Sequence, residues 1–89
     1  MFEEADRRVL DAALQVVENQ LRDGKPPETR ETLDRLVEEG RTVADAKRLI
    51  ATVVLREMVG ILRSKTPFDP ARFAAALDRL PALPADGDD

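Results

Sequence analysis

The sequence predicts an all-α fold: a small four-helix domain with a three-helix up-down-up core and a short closing C-terminal helix. Three observations carry that prediction. Apolar residues recur at helical spacing through most of the chain. Glycine, proline and capping residues interrupt that spacing at three places. No stretch alternates apolar and polar residues as a half-buried strand does. The length of 89 residues suits one domain, placed at residues 1–80, followed by a disordered acidic tail over 81–89.

The first helix is expected from about Glu3 to Asp23. Ala5, Val9, Leu10, Ala13, Leu14, Val16, Val17 and Leu21 fall on one stripe. Gly24 follows, where a left-handed residue closes a helix, and Pro26 and Pro27 forbid continuation while suiting the next helix's first turn. The second helix runs from about Pro27 to Glu39. Glu28 and Glu31 stand near its positive end, and Leu33, Leu36 and Val37 form its expected buried face. Gly40 ends it. Thr42 with Asp45 three residues on reads as the start of the third and longest helix, Val43 to Ser64. Its apolar face is Val43, Ala46, Ile50, Val53, Val54, Met58 and Ile61. After "KTPF", Asp69 is an N-cap and Pro70 the first residue of a fourth helix reaching about Leu80, with Phe73 and Leu77 inward.

Composition narrows the chemistry. The chain has no cysteine and no histidine. Disulfides and thiolate metal sites are excluded, and the commonest metal ligand and neutral-pH base are missing. No glycine loop for phosphates is present, and clustered acids such as Glu38–Glu39 and Asp86–Asp89 read as solvated. The expectation is a non-catalytic protein with no cofactor and no specific metal site. No apolar run approaches the roughly 20 residues of a membrane span, and the acidic start "MFEEADRR" is unlike a signal peptide, so the cytoplasm is expected.

Charge is uneven. Residues 1–40 carry six basic and eleven acidic groups, residues 41–65 six and two, and residues 66–89 two and five. The middle segment is a basic island in a chain of net charge −4. Packing of a basic helix beside an acidic one explains it economically. Lys47, Arg48, Arg56 and Arg63 make the candidate basic surface. With helix 2, Gly40 and helix 3 read as a helix-turn-helix, it would make a nucleic-acid-associated regulator. The acidic total and the length of helix 3 argue against that reading.

Two helices carry polar residues in apolar surroundings. Gln20 points near the centre of the first helix's stripe, with Glu18 and Asn19 at its margins, and Glu57 projects among Val53, Val54 and Ile61. A buried carboxylate must be paired or hydrogen-bonded. Glu57 could be a ligand-binding acid or a satisfied contact that fixes packing; the second is expected, since buried polar groups are usually hydrogen-bonded. Helix lengths place Glu57 level with Gln20 and the Gly24–Pro27 turn. A structural polar plug of Gln20, Glu57, Glu18 and Asn19 is therefore expected, with Glu57 bonded to groups between residues 20 and 30.

The stretch from Leu14 to Ile50 resembles a small bacterial helical-domain family of unknown function, in which a VENQL segment is followed by a proline and R-L-x-x-x-G. The matching residues are Val17 to Leu21, Pro26 or Pro27, Arg35 to Gly40, Ala46 and Ile50. The family's histidines would fall on Leu14, Ala44 and Arg48, so if they bind metal in relatives this chain cannot do so in that way. The resemblance implies a compact helical domain and no reaction. The resulting expectation is a protein-interaction or self-association module. A homodimer is expected because the core is alanine-rich and the apolar stripe of helix 3 outruns helix 2.

Overall fold

Local signals set each helix boundary in the computed structural model, which describes residues 2–82, with side chains from Arg7 onward. The helices are α1 (Phe2–Asp23), α2 (Pro27–Glu38), α3 (Val43–Ser64) and α4 (Pro70–Arg79), and no strand occurs among the described residues. The fold is the all-α four-helix domain expected. The expected tail over residues 83–89 lies outside the described residues. Pro81 and Ala82, assigned to that tail, instead continue a turn in which the Ala82 N–H donates to the Arg79 carbonyl at 2.9 Å.

Both glycine stops use the left-handed region. Gly24 has φ 69° and lets the Lys25 N–H reach the Gln20 carbonyl at 3.1 Å; Gly40 has φ 109° and lets Arg41 reach Leu36 at 3.1 Å. These are the six-to-one bonds that satisfy a helix's last carbonyls. The starts are capped by side chains where the sequence places Thr42 and Asp69. Thr42 Oγ1 accepts the Asp45 N–H at 3.0 Å, and Asp69 Oδ1 accepts the Ala71 and Arg72 N–H groups at 3.0 and 3.3 Å. Lys65, at φ 57°, closes α3 in the left-handed region without being glycine.

One core holds the helices together. Ala13 and Val17 enter from α1, Leu33 and Leu36 from α2, Ala46, Ile50, Ala51, Val53 and Val54 from α3, and Phe73, Ala76, Leu77 and Leu80 from α4 and its end. α3 touches all three other helices, and α4 closes over α2 and α3. Leu36, Ile50 and Leu77 are fully enclosed, each worth about 1.5–3 kcal/mol of burial.

The expected apolar faces need four corrections, the first at Val9, which is exposed near the start of α1. Val37 and Val43 are exposed because they flank an open cleft. Met58 is exposed because α3 has by then run past its cover. α2 instead buries Thr29 and Thr32, which with Leu33 and Leu36 repeat at i, i+3, i+4 and i+7.

Candidate functional site

The polar residues at the end of α1 diverge. Glu18 turns to the amino-terminal half of α3, where Lys47 Nζ donates to it at 2.8 Å. Asn19 stays on its own helix and accepts from Gln15 Nε2 at 3.2 Å. Gln20 faces α2: the fully buried Thr29 hydroxyl donates to its Oε1 at 2.9 Å. Gln20 and Glu57 do line the same cleft.

Glu57, however, takes its partner from α4 rather than from residues 20 to 30. Arg72 donates to it from Nε at 3.1 and 3.3 Å and from Nη2 at 2.9 Å. The turn has little left to offer a carboxylate. Pro26 and Pro27 have no N–H, the Lys25 N–H goes to Gln20 and the Thr29 N–H to Pro26. Arg72 sits beside the buried Phe73, so docking α4 delivers a forked cation to Glu57. The hydrogen bond to Glu57, then its charge, holds the Arg72 guanidinium above its ordinary pKa; partial loss of solvation opposes this and Asp69 adds to it.

The other end of α4 is held by Arg35, which stands out in the sequence only as the start of the R-L-x-x-x-G match. Arg35 on α2 donates from Nη2 to the Leu77 carbonyl at 3.0 Å and from Nη1 to the Leu80 carbonyl at 3.0 Å, while also pairing with Glu39 at 3.1 Å. A cation there satisfies the last carbonyls and meets the helix's negative end. α4 is therefore pinned to α3 at its start and to α2 at its end, with Phe73, Ala76 and Leu77 between.

The pinning leaves an apolar surface uncovered. A cleft of about 320 Å³ opens between α1, α3 and the start of α4, walled by Val16, Val54, Ile61, Phe68 and Phe73. Phe68 leans on Phe73 with ring centroids 5.6 Å apart and planes tilted by 57°. Met58 belongs both to this cleft and to a stripe on the outside of α3 formed by Leu55, Met58, Val59 and Leu62. Those four are spaced i, i+3, i+4 and i+7, the pattern of a packed helix face. Yet Leu62 is 76 % exposed and Phe68 48 %, with Met58 and Val59 near 40 %.

The four candidate basic residues do not form one patch. At about 100° per residue, Arg56 and Arg63 fall nearly in line and Arg48 lies about 60–80° from them, while Lys47 is on the far side, bound to Glu18. A second cleft, of about 620 Å³, lies between α1, α2 and the start of α3. Leu21, Leu33, Val37 and Val43 line it, and charges of both signs, including Arg22, Arg30, Asp34 and Glu38, ring it.

No family model, curated protein or solved structure matches this chain. The likeness of Leu14–Ile50 to the bacterial family accordingly rests on the quoted residues alone. Among the described residues no helix is long and apolar enough to cross a membrane.

Proposed function

We propose that this domain is a non-catalytic docking module whose working face is the carboxyl-terminal half of α3 together with Phe68. The observation that carries the reading is the stripe Leu55–Met58–Val59–Leu62: it has the spacing of a buried helix face, yet after a half-buried Leu55 its other three residues are exposed. Exposed apolar area of this kind marks interaction sites. A second copy of the chain, giving a homodimer, and a different protein are the two kinds of partner that such a face admits. The cysteine-free chain suits a reducing cytoplasm, which is the compartment we propose. A nucleic-acid-associated regulator using Arg48, Arg56 and Arg63 is the alternative; the withdrawal of Lys47 by Glu18 weighs against it.

Because the chain lacks cysteine, a single one can be placed at will. Leu62→Cys carrying a benzophenone, expressed in cells, should give a discrete adduct, whereas Glu31→Cys on the exposed side of α2 should give none. An adduct of twice the chain's mass identifies self-association, and any other discrete mass a different protein. Equal labelling from both positions, or tight oligonucleotide binding with steep salt dependence, would contradict the reading.

A further inference from the structure

Resting on that reading, we propose that the occupant of this face is an acidic amphipathic helix. Its apolar side chains seat along Met58, Val59 and Leu62 and enter the cleft between Val16, Val54 and Phe73. Its carboxylates face Arg63 and Lys65.

Shape is the first argument. The stripe covers two turns of α3, about 10 Å, and Met58 joins it to the cleft without a break. A ridge beside an apolar cleft is the surface on which helices dock through i, i+3, i+4 and i+7 anchors. Phe68, propped on Phe73, forms the far wall.

Charge decides what kind of helix. From Arg56 to Arg72 the chain has four basic residues and two acidic ones, in a protein of net charge −4. Both acids are already engaged, and so is Arg72. Glu57 holds Arg72, and Asp69 caps α4. Arg63 and Lys65 are exposed; Arg63, four residues after Val59, flanks the stripe on the side away from the cleft. Inside the cleft, Gln20 Oε1 already accepts from Thr29, and the Gln20 amide also carries N–H donors for an occupant. Arg63, Lys65 and the Gln20 amide are the complement of an acidic partner, and the carboxylate of the wall, Glu57, is already held by Arg72.

The same charges disfavour a second copy. A two-fold contact repeats one patch on both partners. The positive rim would then face itself, and like charges across an interface cost affinity. The chain's overall negative charge likewise opposes an anionic membrane.

The test uses the full chain and two synthetic amphipathic peptides, both with leucine at the a and d positions of each heptad. One has glutamate elsewhere, the other lysine. Fluorescence anisotropy should show binding of the glutamate peptide, weakening as salt rises. Leu62→Asp should weaken it about tenfold, a loss of about 1.4 kcal/mol. Arg63→Glu with Lys65→Glu should turn preference toward the lysine peptide. Circular dichroism should find all variants helical, since these three residues lie outside the core. Lysine peptide binding as well as glutamate peptide, or capture by phosphatidylserine vesicles in place of either, overturns the inference. A parent dimer that Leu62→Asp abolishes, with no peptide binding, overturns the acidic partner and keeps the docking face. Absence of every association, with no adduct from residue 62, overturns both.

Discussion

The two halves of α3 are nearly equal in apolar content and opposite in use. In the first half, Ala46, Ile50, Ala51 and Val53 are all 2 % exposed or less, held under α1 and α2. In the second, Met58, Val59 and Leu62 stand at 38, 41 and 76 %. The difference lies in the cover. α2 has 12 residues and α3 has 22, so α3 is about 15 Å the longer. α4 covers one side of the overhang, through Phe73 and the Arg72–Glu57 pair, and leaves the other bare. The same residue types hold the fold together where neighbours surround them and offer a surface where none do.

Substitutions sharpen that contrast. Ile50→Ala should cost about 2–4 kcal/mol, because the fully buried side chain leaves a cavity. In a domain of this size that lowers the melting midpoint by about 10 °C or more. Arg35→Ala should follow at about 1–2 kcal/mol by thermal melt, since it takes the donor from the Leu80 carbonyl and leaves the Leu77 carbonyl only the Leu80 N–H, at a partly exposed site. Glu57→Ala should lower the midpoint less than Ile50→Ala and more than Leu62→Ala, because Arg72, left without its partner, can turn to water. Lys65→Gly should raise stability by about 0.5 kcal/mol, relieving a side chain from a left-handed turn. Leu62→Ala should stay within about 0.5 kcal/mol of the parent. If Leu62→Ala destabilised as much as Ile50→Ala, the two halves of α3 would not differ as described.

The legibility of the molecule divides along sequence separation. Gly24, Gly40, Thr42 and the Asp69–Pro70 pair act on residues within five positions, so the helices they bound could be read directly. Thr29 and Thr32 were legible by spacing but not by residue type; the Thr29 hydroxyl, bonded to half-buried Gln20, passes as core. Contacts across the chain were not legible. The bond from Arg72 to Glu57 depends on how Lys65 and Phe68 steer the chain into α4, and Arg35 reaches carbonyls 42 and 45 residues away. Helix lengths placed Gln20 and Glu57 on one cleft, yet they could not say which of several cations would arrive there. The exposed stripe was half legible: the reading that α3 outruns α2 is right and Met58 lies on the expected apolar face, but Leu55, Val59 and Leu62 stand outside that face.

The most direct measurement is a ¹H–¹⁵N spectrum of the full chain titrated with the glutamate peptide. Amide shifts should concentrate at Leu55, Met58, Val59, Leu62, Phe68 and Phe73, and leave Ala46, Leu33 and the Val37–Val43 cleft in place. Shifts centred on Val37 and Val43, or none at saturating peptide, would contradict the assignment of the carboxyl-terminal half of α3 as the docking face.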